Sequence, residues 1–164
     1  MASTFSPLLR IELIGTGDQS GTWGNTTNVN LGTLIEQSIA GTATVDVTGG
    51  NVTLTNFNGA TDQARCMVIR VTGLPGTTRN IVAPASSKTY VVSNGSDSAV
   101  VFKTSTSTGI TILANEVLYI VYDTVLNDFA LVGKPFASLS IANTLVLRDG
   151  SGIVTGKQIG RAHV

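Results

Sequence analysis

The sequence predicts a mainly β protein: an antiparallel β-sandwich or small barrel, preceded by a strand-turn-helix segment and followed by a β-hairpin or stem. Three observations carry this expectation. The 164 residues include 23 Thr and 18 Val, β-branched types that suit a pleated surface, while the helix formers Glu, Lys and Gln are scarce. Across residues 42–133, short alternating apolar and polar runs are separated by turn residues. Only between Asn28 and Ile39 does the apolar period become helical, with Val29, Leu31, Leu34, Ile35 and Ile39 mostly sharing one face.

Taken in order, Leu9, Ile11 and Leu13 alternate with Arg10 and Glu12, as in a strand with one covered face. Gly15, Gly17, Gly21 and Gly24 break that strand, Asn28 is placed to cap a helix and Gly41 to stop it. Residues 44–48 and 51–55 alternate cleanly around Gly49-Gly50, the signal of a two-residue hairpin. Further strands are expected at 67–72, 80–83, 88–93, 99–104, 110–113, 117–123 and 129–132. Leu74-Pro-Gly76, Asn94-Gly95 and Ala114-Asn115 mark turns between them. The run 117–122 is almost wholly apolar and is expected at the centre of a sheet, covered on both faces. Pro135 closes this module, and 144–154 reads as strand, turn, strand. The expected organisation is an N-terminal segment 1–41, a β domain 42–133 and a C-terminal stem or hairpin 134–164.

Charged residues make up 12% of the chain and the formal net charge is zero, well under the usual quarter. Mean hydropathy is positive, yet no apolar run approaches the roughly 18 residues that cross a bilayer. Membrane insertion is therefore not expected, and surface hidden between copies of the chain is. The ten Lys and Arg are scattered and matched by ten Asp and Glu, which is not the basic footprint of a nucleic-acid binder. Residues 134–164 are mildly basic, which suits a solvated or intersubunit position. The first residues lack a basic start followed by an apolar stretch, so synthesis in a cytoplasm is expected. Cys66 is the sole cysteine and reads as a buried, inert thiol.

No constellation of catalytic residues is legible. The single histidine, His163, is the next-to-last residue, and one Cys with one His cannot supply a tetrahedral zinc site. Asp62, Asp97, Asp123, Asp128 and Asp149 sit in or beside turns, where Asp caps its own backbone. Glu12, Glu36 and Glu116 form no obvious acid-base pair with them. The glycines from Gly15 to Gly24 lack both the Gly-Lys-Ser/Thr ending of a phosphate loop and the spacing of a dinucleotide fingerprint. No enzymatic activity, cofactor or metal is expected.

The string Gln19-Ser-Gly-Thr-Trp-Gly-Asn-Thr-Thr-Asn-Val-Asn-Leu-Gly32 resembles the N-terminal segment of tailed-bacteriophage fibre proteins and related virion structural proteins. With its flanks it covers about a quarter of the chain. The pair of strands around 117–122 and 128–133 is similar to the terminal hairpin of small phage fibre modules. Leu147-Arg-Asp-Gly-Ser-Gly152 resembles a motif of phage tail fibres. The resemblance implies a homotrimeric tail or neck fibre, or a fibre base, located in the virion and supporting host adsorption. Its implied partners are copies of itself, other virion proteins of tail, neck or capsid, and a host surface glycan. On this reading residues 9–41 attach the protein to the particle, with Trp23, Leu31, Leu34, Ile35 and Ile39 as the apolar docking residues. Two other functions fit the same composition: a capsid decoration or head-fibre protein, and a carbohydrate-binding module.

Overall fold

A computed structural model describes residues 2–133; the strands expected at 144–154, the C-terminal stem or hairpin and His163 lie outside the described residues. Strands β1 (Thr4–Phe5) and β2 (Glu12–Leu13) form a small antiparallel ribbon. It is shorter than the alternation from Leu9 to Leu13 predicts, because Arg10 takes a left-handed backbone with φ 54°. A continuous helical run follows as α1 (Trp23–Val29), a π-helical turn (Asn30–Ile35) and α2 (Glu36–Ala40). The helix begins at Thr22 rather than Asn28, although Gly24, Asn25, Thr26 and Thr27 are weak helix formers. Tertiary hydrogen bonds described below hold that first turn, the usual way packing overrides propensity.

After Gly41 the chain enters the β body. Its strands are β3 (Thr42–Asp46), β4 (Val52–Thr53), β5 (Val68–Thr72), β6 (Arg79–Val82), β7 (Thr89–Asn94), β8 (Val100–Lys103), β9 (Ile110–Ile112), β10 (Val117–Asp123) and β11 (Asp128–Leu131). They form a five-stranded sheet ordered β11-β10-β7-β5-β3 and a four-stranded sheet ordered β4-β6-β8-β9. The mainly β class follows the sequence expectation, with no closed barrel. Pairing is mixed rather than wholly antiparallel. β3, β5 and β7 are parallel neighbours in one sheet, and β4, β6 and β8 are parallel neighbours in the other. The chain therefore winds three times from one sheet to the other. β9 and β10 then return antiparallel to β8 and β7, and β11 completes a hairpin with β10.

This winding corrects the hairpin expected at Gly49-Gly50. β3 and β4 lie in different sheets, and Gly50, at φ 146°, sits in the crossover between them. The physical reason is that alternation marks which side chains face the core without marking which sheet carries them. Val45 and Val47 before the turn and Leu54 after it are all buried, as they would be in either arrangement. A second correction concerns β10. It is central, between β11 and β7, but only Ile120 and Tyr122 are buried, while Val117 and Tyr119 lie exposed on the outer face.

The core lies between the sheets and is built as rows across the coils. Ala43, Ile69, Val92 and Leu118 stand in register in the larger sheet, and Val52, Ile81, Phe102 and Ile110 in the smaller. An aromatic cluster fastens the two sheets together. Phe129 of β11 meets Phe102 of β8 edge-on with ring centroids 4.9 Å apart, and touches Tyr122 at 5.5 Å and Tyr90 at 6.1 Å. Where the parallel coils end, buried Asn94 ties the reversal down. Its Nδ2 donates to the carbonyls of Ser98, Ile112 and Leu113, and its Oδ1 accepts from the backbone N–H and hydroxyl of Ser96.

The aromatic cluster gives the first prediction. Phe129→Ala removes the ring that joins both sheets and is expected to lower unfolding stability by about 3–5 kcal/mol. Val125→Ala, in the exposed turn after β10, is expected to stay within about 0.5 kcal/mol of the parent. Urea unfolding of the two variants checks both values.

Candidate attachment surface

The site begins at Asp62, whose carboxylate is fully buried. Asp62 caps the short 3-10 turn Gln63–Arg65, Oδ1 accepting the Arg65 N–H at 2.6 Å. Oδ2 accepts from Arg10 Nη2 at 2.8 Å, from the Phe57 N–H at 3.0 Å and from Arg65 Nη2 at 3.2 Å. Gln37 of α2 brackets the same residue, its Nε2 donating to the Asp62 carbonyl at 3.2 Å and its Oε1 accepting the Asp62 N–H at 3.4 Å. Arg10 also donates through Nε to the Phe57 carbonyl, and its own carbonyl accepts the Gly59 N–H at 2.8 Å. These bonds hold the Arg10 backbone in its left-handed conformation. One residue, through its carboxylate and its backbone, thus joins the N-terminal ribbon, the helix and the β body.

Electrostatics around the node are cationic. Arg65 shares Asp62 with Arg10, and two of its guanidinium nitrogens, Nε and Nη1, have no partner among the described residues. Burial pulls the Arg65 guanidinium below its usual value, and Asp62 opposes that pull. Nearby, Lys88 Nζ donates to the carbonyls of Cys66 at 2.8 Å and Thr89 at 3.1 Å, and lies 4.0 Å from the centre of the Tyr90 ring. Burial pushes the Lys88 amine down to about 8. Cys66 is buried and free, and burial raises its thiol above the ordinary value. Its neighbours are Gln37 Nε2 and the Asp62 carbonyl, a structural setting.

The rest of the helix is tied by polar side chains as well. Asn30 exchanges two hydrogen bonds with the Glu12 backbone, Oδ1 accepting the N–H at 3.1 Å and Nδ2 donating to the carbonyl at 2.7 Å. Gln19 donates to the Glu12 carboxylate and accepts from the Thr26 hydroxyl. Thr26, Asn30, Leu34 and Gln37 recur at helical spacing and define the inward face.

Placement of the five residues expected to dock follows from that face. Leu34 lies on it between the two tethers, is 1% exposed and is unavailable to a partner; this corrects its expected role. The cause is that Asn30 and Gln37, not the apolar residues, decide which side of the helix turns inward. Ile35 is half-buried. Trp23, Leu31 and Ile39 are 60%, 60% and 70% exposed, so Trp23 lies outside the core formed by the described residues. Sequence reasoning missed four further exposed apolar residues of the segment as docking candidates, Phe5, Leu8, Leu13 and Val29, together with the Asp62 node. A turn aspartate with arginines three residues after it and far before it carries no local signal of burial.

Among the described residues no group of three His, Cys, Asp or Glu is placed to hold a metal ion, and no helix is long and apolar enough to cross a membrane. Comparison with protein-family models, with curated proteins and with solved structures returns no match.

Two predictions follow from the node. Asp62→Asn leaves the buried Arg65 and the partly buried Arg10 guanidinium without their anion and is expected to cost about 3–5 kcal/mol. It should also make residues 2–22 the first target of limited proteolysis, because Arg10 loses its anchor. Lys88 sets a pH dependence. Below about pH 8 its amine is charged in both states and the burial penalty is present in full. From about 8 toward the ordinary 10.5 the native chain has shed a proton that the unfolded chain keeps, so native stability rises with pH. The Cys66 thiol works in the opposite sense above its ordinary 9.0, so the clean window is from about pH 8 to 9.0. Unfolding measured across that window should show rising stability in the parent and no such rise in Lys88→Met.

Proposed function

We propose that this chain is a non-enzymatic structural subunit of a tailed-bacteriophage particle, a tail or neck fibre or fibre base, that attaches to the particle through its N-terminal segment. Three copies assemble around the fibre axis, and the protein supports adsorption to the host. The observation that carries the reading is an inversion of the usual surface pattern. Residues 2–40 are held to the β body by Arg10 and Gln37 through polar bonds, with Asn30 tying the helix to the ribbon, while Leu8, Leu13, Trp23, Leu31 and Ile39 stay exposed. Only one residue of the 23–40 helix, Glu36, is charged. Exposed apolar side chains concentrated in one segment are costly to leave in water and mark that segment as one to be covered. The resemblance of Gln19 to Gly32 to phage attachment segments supports another virion protein as the partner.

A second reading, recognition of a host glycan, has one observation in its favour. The carboxyl ends of the parallel strands β4, β6 and β8 open into a groove of about 260 Å³. Thr53, Asn56, Thr104, Ser105 and Thr106 contribute hydroxyl and amide groups to its lining.

Replacing Trp23, Leu31 and Ile39 together by Ser separates the readings. These side chains are exposed, so the variant is expected to keep its fold within about 1 kcal/mol and to lose incorporation into particles in a complementation assay. Normal incorporation of the folded variant would overturn the attachment reading. Binding of glycans by the protein, lost on substitution of Asn56 and Thr106 and indifferent to the triple variant, would favour the second reading.

A further inference from the structure

The outer face of the five-stranded sheet carries a feature that the attachment segment does not use. Alternation turns Thr42, Thr44 and Asp46 of β3 and Val68, Arg70 and Thr72 of β5 away from the core. The register sets Thr42 beside Val68, Val68 beside Val91, and Val91 beside Tyr119. The Val132 N–H then donates to the Tyr119 carbonyl at 2.8 Å. Val68, Val91, Tyr119 and Val132 therefore form an apolar row across four neighbouring strands. Tyr119 is 42% and Val117, two residues before it on the same face, 59% exposed.

We propose that this face is the contact between copies of the chain, the apolar row of one copy lying against that of its neighbour. Charge distinguishes it from the helix. Beside the row stands Arg70, the one exposed cation among the described residues, and on β3 stands the exposed anion Asp46. The described ion pairs involve neither of them. A face that holds both signs can meet a second copy of itself with opposite charges adjacent. The helix face cannot, because its only charge is Glu36 and self-contact would bring like charges together. A second copy therefore fits the sheet, and a different protein fits the helix.

The size of the face sets the strength of the contact. Five strands span roughly 20 Å and their paired length roughly 15 Å, well under the roughly 800 Å² per partner of a standard stable interface. Free chains accordingly associate weakly. Copies held side by side by their N-terminal segments gain the effective concentration that closes the contact.

The proposal rests on the homo-oligomeric part of the reading above, and sedimentation equilibrium of the full chain from roughly 10 µM to roughly 500 µM tests the two separately. Association rising with concentration is expected. Tyr119→Glu should weaken it at least about tenfold. Arg70→Glu should weaken it as well, and Asp46→Lys added to Arg70→Glu should restore it. The Arg70 side chain makes no hydrogen bond or ion pair among the described residues, so its reversal is expected to leave the fold intact and decides the matter even where Tyr119→Glu misfolds. Association that neither Tyr119→Glu nor Arg70→Glu alters would overturn this face while leaving the homo-oligomer standing. A monomer at every concentration would overturn both.

Discussion

The N-terminal ribbon, the helix and the β body meet at one buried residue, Asp62. Asp62 orders the Gln63–Arg65 turn through Oδ1, and its Oδ2 receives Arg10 from the N-terminal ribbon more than fifty residues away in sequence. A buried ion pair adds little net stability compared with an apolar replacement, but losing one partner strands the other in a medium that cannot solvate it. The node is therefore asymmetric in its energetics. It contributes modestly when whole, and its loss propagates to every element it joins. Gln37, clasping the Asp62 backbone from the helix side, extends that dependence to α2 and to the entry of β3 just beyond Gly41.

The π-helical turn fits the same constraint. The helix has to present Asn30 to Glu12 and Gln37 to Asp62, with Leu34 filling the space between. An added residue in the turn from Asn30 to Ile35 changes which side chains reach the inner face. What remains outside is Trp23, Leu31 and Ile39, and the π turn is thus tied to the partition between tethers and exposed apolar groups. Lys88 and Cys66, packed close to the node, share its low polarity, which is why one loses affinity for its proton and the other holds its proton more tightly.

Much of the β body was legible because its signal is local. Alternation at 68–72 and 89–94 reports which residues face inward, and those residues do. The β10–β11 hairpin was legible for the same reason, since Asp123 to Asn127 closes it within a few residues. What alternation does not encode is partner choice. Val45 and Leu54 look the same whether their strands are neighbours in one sheet or stand opposite each other across the core, and only the long-range register separates the two. The exposed side of β10 escaped because Val117 and Tyr119 are as apolar as the residues on its buried side. In the helix, the amphipathic pattern pointed to a single apolar ridge, whereas the inward face is set by Asn30 and Gln37, residues that periodicity counts as outward. The Asp62 node depends on Arg10, Phe57 and Arg65 meeting in space, and no spacing in the sequence announces that meeting.

The order of the five-stranded sheet has a mechanical side. The chain enters this sheet at β3 on one edge and leaves it at β11 on the other, with β5, β7 and β10 between. Tension applied between the helix and the residues after Gly133 would cross all four ladders of the sheet in series, about 19 Å of hydrogen-bonded backbone. The aromatic contact of Phe129 with Phe102 adds a strut from the exit strand to the opposite sheet, so the last strand is braced where the pull would begin to peel it. A subunit loaded at one end and anchored at the other would thus carry force through the breadth of its sheet, and its resistance would be set by how fast the weakest edge opens rather than by its equilibrium stability.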